Sequence, residues 1–289
     1  MVKDKFIKIL DKGISGDLLK LIAVITMFID HFGYYFYDFL NPTIYTICRN
    51  IGRIAMPIFV YSLVQGFFYT KNFKKYFTRI TLVAIITQII FISLKLLNLN
   101  VVTFKNYTTN IYEMGNILFS FSICLILMYI IHNKILVNKW DKNKNLLLKI
   151  FIVLGIISIY AFIPIDYDYT VPILALMFYM LEKFKITIML NRQSGAFNIQ
   201  NVFSKSISEE KIKYTYKVLL GVIILFVVIY SRLNIYTLLS IIPIVLYNGI
   251  RKQNNSNVTL KTIIHRYGWY MFFPFHHFLL YLTAMILSR

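Results

Sequence analysis

Apolar residues follow one another along this chain in blocks of roughly twenty, divided by short polar stretches. A helix needs about 20 such residues to cross a hydrocarbon core of about 30 Å. Nine stretches meet or approach that length: 18–38, 44–68, 76–97, 114–132, 147–165, 168–183, 217–231, 233–250 and 267–287. Two of them, 168–183 and 217–231, are short, which predicts broken, tilted or partly re-entrant segments. The period-2 alternation of a barrel strand is absent, and backbone groups in lipid have to be satisfied within their own segment. The expectation is therefore an all-α, polytopic integral membrane helix bundle of about nine transmembrane helices.

The polar stretches between the blocks predict no separate soluble domain. Residues 1–17 (MVKDKFIKILDKGISGD) alternate Lys with Phe, Ile and Leu, as a short amphipathic helix on the inner membrane surface would. Residues 18–289 then form a single membrane domain. Its longest polar segment, 184–216, reads as a cytoplasmic loop too short for a core of its own. The connection 98–113, with Tyr107, Tyr112 and Glu113, is the longest external one. No internal repeat is evident, which weakens a transporter built from duplicated halves.

Composition agrees with the block pattern: 58% of the residues are hydrophobic and 15% charged, which excludes a soluble domain. The formal net charge of +19 would suggest a nucleic-acid partner in a soluble protein, but its distribution argues otherwise. Most Lys and Arg fall in the N-terminal arm and in every second connection, among them Lys71, Lys74, Lys75 and Arg79 in one and Lys183, Lys185 and Arg192 in another. By the positive-inside rule this places the N-terminus in the cytoplasm and, with nine spans, the C-terminus outside. Cys48 and Cys124 sit in separate spans. Without a Cys-x-x-Cys pair or a His/Cys cluster along the chain, the expectation is no disulfide, no structural zinc and no metal. No cleavable signal peptide is evident in the first, long apolar run.

Several ionisable residues interrupt the apolar blocks. Each costs about 2.5–3.5 kcal/mol in mid-membrane on insertion scales, so such groups face a protein interior or a water-filled cavity. Asp30 and His31 are adjacent, about 18–20 Å along a helix that enters from the cytoplasm at Leu18, and point about 100° apart around it. Arg49 and Arg53, at i and i+4, share a face of the second span, and an Asp30–Arg53 pair would neutralise two costly charges. His276 and His277 follow Pro274, which predicts a kink with room for a polar side chain. Counted from Tyr267, His276 lies near the midplane, so His31 and His276 are expected to line one cavity at different depths. Glu113, Asn116, Asp166, Asp168 and Asn248 are secondary candidates, while His132 and His265 read as interfacial. No P-loop, GxSxG, HExxH or dinucleotide fingerprint is present.

With those residues in view, the sequence resembles the TraX family, multi-spanning proteins named for acetylation of the pilin subunit of conjugative F pili. The matching segments are KLIAVITMFIDHFG (20–33), RNIGRIAMPIFVYSLVQGFFYTKNFKKYFTRI (49–80), GNILFSFSICLI (115–126), DYDYTVPIL (166–174), LYNG (246–249) and YGWYMFFPFHHFLLYL (267–282). The family pattern Asp-Tyr-Gly stands here as Asp166-Tyr167-Asp168.

That family is in turn similar to transmembrane acyltransferases that use cytoplasmic acetyl-CoA. The resemblance implies a membrane-embedded acetyltransferase of the bacterial plasma membrane. Acetyl-CoA would be the donor, and a peptide, lipid or glycan would supply an acceptor amine or hydroxyl, with no nucleic-acid partner. It points to His31 as general base, positioned by Asp30, with Arg53 stabilising negative charge. His276, Arg49 and Arg79 would hold the donor. A transporter or flippase using the same intramembrane charges and a non-catalytic assembly factor are the alternatives.

Overall fold

The computed structural model describes residues 13–96, 115–133, 140–162, 165–194, 209–249 and 260–287. Among them the chain is helical, without a strand. The helices are α1 (Gly16–Tyr35), α2 (Pro42–Gly52), α3 (Ala55–Tyr69), α4 (Phe73–Leu96), α5 (Ile117–His132), α6 (Lys142–Phe162), α7 (Thr170–Ser194), α8 (Glu209–Tyr230), α9 (Ile241–Leu246) and α10 (Leu260–Leu287). Short 3-10 turns occupy Tyr37–Phe39 and Ile235–Ser240. Among the described residues, five helical stretches are long and apolar enough to cross a membrane: Gly16–Tyr35, Pro42–Tyr69, Phe73–Ser93, Glu209–Tyr230 and Gly268–Leu287. Ile117–His132 and Ile235–Leu246 are shorter apolar helices. The amphipathic arm, apart from its last residues, and the external connection with Tyr107, Tyr112 and Glu113 lie outside the described residues.

Helix starts follow local capping chemistry. The Ser15 hydroxyl accepts from the Leu18 amide at α1, and the Asn41 side chain accepts from Ile44 at α2, where Pro42 fits the first helical position. Asn116, a secondary site candidate by sequence, is a buried cap of α5 that also donates to the Ala84 carbonyl on α4 at 2.9 Å. Asn248 likewise holds backbone together, its amide donating to the Ile14 carbonyl at 3.1 Å.

Four predicted spans take a different form. The second divides into α2 and α3 at Arg53-Ile54, because Pro57 has no amide to give the Arg53 carbonyl and its ring crowds that oxygen. The two short spans are long helices, α7 and α8, which continue from both sides into the polar segment 184–216 and leave 195–208 outside the described residues. Hydropathy marks where a membrane would end, not where a helix ends. Polar helix turns are supported by pairs such as Glu209–Lys213 at 2.8 Å. The span expected over 233–250 is a 3-10 turn followed by the six-residue α9. It runs from Asn234, whose amide donates to the Asn50 side chain, to Tyr247, which pairs with Ile14 before α1. The greater rise of 3-10 turns, about 2.0 Å per residue, lets so few residues cover that depth.

Helix α1 packs on α2 and α3, α3 on α7, α5 on α4 and α7, and α10 on α1 and α4. The α1–α2 crossing depends on small residues: a Cβ on Gly33 would meet the Cys48 Cβ at 2.6 Å. Leu19, Ile58, Leu125, Phe178 and Ile224 belong to one buried cluster. Large apolar side chains such as Phe151, Leu147, Ile229 and Ile286 point outward, as lipid-facing positions do. Both cysteines are buried free thiols.

Candidate functional site

A cavity of about 620 Å³ runs along α1. Asp17, Lys20, Val24, Met27, His31 and Tyr34 line it at helical spacing, so it extends about 26 Å, most of a bilayer core. Lys20, Arg79, Trp269 and Tyr270 stand at the end where α1 begins. The guanidinium of Arg79 lies over the Tyr270 ring, 5.9 Å from its centroid. The middle is mostly apolar, with Met27, Leu63, Phe121 and Phe273. Asp30, His31, Arg49, Arg53, Asp166 and Tyr167 gather at the far end.

Asp30 and His31 point to different neighbours, as their angular offset requires. The carboxylate of Asp30 pairs with Arg49 at 2.9 Å, so Arg49 takes the place that the sequence reading gave to Arg53. Arg49 also lies over the Tyr34 ring, 5.5 Å from its centroid. Gly52 makes this packing possible: a Cβ there would come within 2.1 Å of the Asp30 Cβ. Arg53, at the end of α2, donates instead to the Tyr167 hydroxyl at 3.5 Å.

His31 is oriented from α10 and not by Asp30. Its Nδ1 is 2.7 Å from Nε2 of His276, whose own Nδ1 is 2.7 Å from the Phe272 carbonyl. A carbonyl only accepts, so His276 carries its proton on Nδ1 and, when neutral, accepts at Nε2. His31 then donates through Nδ1, and its Nε2 keeps a free lone pair. One backbone carbonyl thus sets the tautomer of two imidazoles in series.

Of the two α10 histidines, it is not the expected His276 that lines the cavity. His277 lines the cavity, and His276 stands behind His31, at the same depth and in hydrogen-bond contact with it. The depth estimate counted from Tyr267, whereas α10 begins at Leu260. Its Pro274 lies inside the helix, which continues through it.

Sequence reasoning assigns no role to Tyr167 and places His277 in the last span only as the neighbour of His276. A tyrosine in a turn and a second histidine beside a first carry no spacing that marks them. The turn itself holds a signal: Tyr167 and Asp168 have φ of 63° and 41°, in the left-handed region that glycine occupies freely. The family pattern Asp-Tyr-Gly fits that backbone. Asp168→Gly is accordingly expected to stabilise the turn by about 1 kcal/mol and raise the thermal midpoint in detergent; a lower midpoint would refute this account. Asp166, in the same turn, lines the cavity, and enclosure by protein, then the nearby Asp30 carboxylate, push its carboxyl up to about 6.

Of the remaining histidines, His132 stands apart from this site. His132 reaches the Tyr179 hydroxyl at 3.2 Å. The side chain of His265 lies outside the described residues.

Fold and site together define a helical protein with several helices long enough to cross a membrane, arranged around a charged cavity. The chain belongs to the TraX family: the family model described as "TraX protein" matches residues 15–284. Two curated proteins match shorter stretches. One is the probable fimbrial assembly protein FimC, serogroup H1, of Dichelobacter nodosus, 35% identical over 74 residues, which is 26% of this chain and 30% of that protein. The other is an uncharacterized protein of Rickettsia prowazekii (strain Madrid E), 47% identical over 73 residues and 25% of each chain. The matches therefore span a quarter to a third of those relatives' own length. No solved structure matches the chain.

Proposed function

We propose that this protein is a membrane acetyltransferase that moves an acetyl group from acetyl-CoA to an acceptor amine or hydroxyl. The observation that carries the reading is the free Nε2 lone pair of His31 on the wall of a cavity that runs the length of α1. Positive charge in the N-terminal arm and alternate connections favours a cytoplasmic start of α1, with the protein in the bacterial plasma membrane. The nucleotide end of acetyl-CoA then sits near Lys20 and Arg79, with its phosphates on the two cations. From Lys20 to His31 is about 16 Å along the helix, comparable with the reach of an extended pantetheine arm. Arg49, held by Asp30, and His276, behind His31, act from the wall and not as direct ligands of the donor.

In the transfer, His31 Nε2 takes the proton of the acceptor N–H or O–H as its nitrogen or oxygen attacks the thioester carbonyl carbon. The imidazolium that forms is stabilised through its Nδ1–H by Nε2 of His276. Negative charge developing on the carbonyl oxygen faces Arg53, which Tyr167 steadies. The tetrahedral intermediate collapses, the C–S bond breaks, and the imidazolium returns the proton to the leaving coenzyme A sulfur. The acceptor enters at the far end of the cavity. The family's association with pilin acetylation and the match to a fimbrial assembly protein make a peptide N-terminus the first acceptor to try, ahead of lipid amines and glycans.

The test is acetyl-CoA binding and slow hydrolysis by the purified protein. Wild type and His31→Ala are both expected to bind, with hydrolysis at least 100-fold lower in the variant. Absence of binding by well-folded wild type would overturn the reading. The length of the cavity would also suit a transporter, and substrate uptake by proteoliposomes without acyl-CoA would put transport in its place.

A further inference from the structure

His276 and His277 share a feature that the transfer reading does not use in full. Each is anchored at Nδ1: His276 to the Phe272 carbonyl at 2.7 Å, and His277 to the Tyr35 hydroxyl at 3.0 Å. Each therefore presents Nε2. That of His276 meets His31, while that of His277 is buried with no hydrogen-bond partner. Leaving such a nitrogen unmet costs about 1–3 kcal/mol. The two residues are 1% and 3% exposed, and one ring nitrogen from each of His31, His276 and His277 lies within 4.8 Å of the others. Phe28, Phe91, Phe272 and Phe273 pack around the three rings.

We propose that these three histidines form a binding site for one divalent first-row transition metal ion, with Zn²⁺ as the reference case, and that its occupancy switches the transfer site off. The second clause rests on the acetyltransferase reading; the first does not.

The donor set fits the ion. Neutral imidazole suits Zn, Cu, Fe and Ni, and the absence of thiolate or carboxylate among the donors disfavours softer and harder ions. Metal-binding histidines are characteristically fixed by a hydrogen bond from the other ring nitrogen, which the Phe272 carbonyl and the Tyr35 hydroxyl supply here. Zn–N bonds of about 2.1 Å in a tetrahedral site put the nitrogens about 3.4 Å apart, so the 2.7 Å His31–His276 pair has to open by about 0.7 Å and the wider separations, at most 4.8 Å, have to close by up to about 1.4 Å. The closing movement falls to His277, whose Nε2 has no hydrogen-bond partner to give up. His31 and His277 line the cavity, so the fourth position of the ion is open to water. Of the charged groups nearby, Arg49 is neutralised by Asp30, and Arg53 faces the Tyr167–Asp166 turn.

The consequence for transfer follows from proton accounting. To ligate through Nδ1, His31 moves its proton from Nδ1 to Nε2, with no net proton released. The Nε2 that would take the acceptor's proton now carries one, and catalysis stops while the metal stays bound. The site is thus an inhibitory one, and its residues are separated from a catalytic metal by the base they share.

The experiment is Co²⁺ titration of the purified protein in detergent, freed of metal by a chelator and isolated through a tag without histidine. Visible absorption and Zn²⁺ competition give stoichiometry and affinity. One ion per chain is expected in wild type. His277→Ala is expected to weaken binding 100-fold or more, and Tyr35→Phe by 10–100-fold. Tyr35→Phe retains the ring and covers the case in which His277→Ala does not fold. Wild type that binds no ion, or an affinity unchanged in folded Tyr35→Phe, would overturn the site.

Acetyl-CoA hydrolysis forms the second arm. Zn²⁺ is expected to inhibit wild type and to inhibit Tyr35→Phe only at a 10–100-fold higher concentration. Metal binding without inhibition would overturn the switch and leave the site. A metal-binding protein that hydrolyses no acyl-CoA in its metal-free form would overturn the transfer reading alone.

Discussion

Gly52→Ala is expected to disrupt the site more than any other single methyl group. The new Cβ would lie 2.1 Å from the Asp30 Cβ, 2.3 Å from its Cγ and 2.4 Å from Oδ1. Real Cβ atoms essentially never come so close, and Asp30 has nowhere to go. Its side chain has two torsions, its carboxylate is held by Arg49, and its backbone belongs to α1. Helices α1 and α2 have to separate, which also loosens the fit of Gly33 against Cys48. Overpacking of a tight interior costs about 1–3 kcal/mol, and here the separation also weakens a largely buried ion pair, so the upper end or beyond is expected. The check is thermal melting in detergent, with the yield of monodisperse protein beside it. A melting point within a degree of wild type would show that α1 and α2 are not packed as described.

Arg49→Gln should be nearly as damaging, for an electrostatic reason. It leaves the largely buried Asp30 carboxylate without the cation paired with it. Removing one partner of a buried pair costs about 3–5 kcal/mol, because the remaining charge is left uncompensated. The double variant Asp30→Asn/Arg49→Gln removes both charges and should recover much of the lost stability, giving a coupling of about 1–3 kcal/mol in the double-mutant cycle. It should not recover acyl transfer to the same extent, since Arg49 also carries the Tyr34 ring and the Asp30 carbonyl contact that shape the far end of the cavity. Additive losses would show that Asp30 and Arg49 are not the functional pair. They would return the partnership to Arg53, where the sequence reading placed it.

The Asp30–Arg49 pair also shows how a correct local inference can select the wrong partner. The i, i+4 spacing does put Arg49 and Arg53 on one face of a continuous helix. Pro57, four residues beyond Arg53, ends that helix, and the break releases Arg53 toward the Tyr167 turn. That signal was present in the sequence, in RIAMPIF, but lay in a residue with no chemistry of its own. The α7 and α8 ends are a different case. Hydropathy cannot report a helix that continues in water, and the pairing of Glu209 with Lys213 becomes visible only once the helix exists.

The sequence by itself determined the helical class, the membrane-length apolar segments, the free cysteines in separate helices and the set of costly ionisable residues. Each of these depends on composition or on spacing within about twenty residues. It also carried the family, through DHFG, RNIGR and FPFHHF. Tertiary structure alone decided which of those residues meet. His31 and His276 are 245 positions apart, and Arg53 and Tyr167 are 114 apart, so no periodicity links them. Their contacts are set by how closely α1, α2 and α10 approach, and that closeness depends on two glycines and on where α10 begins. The tautomer of His31, and the unmet Nε2 of His277, follow from a single carbonyl and a single hydroxyl brought within about 3 Å by that packing.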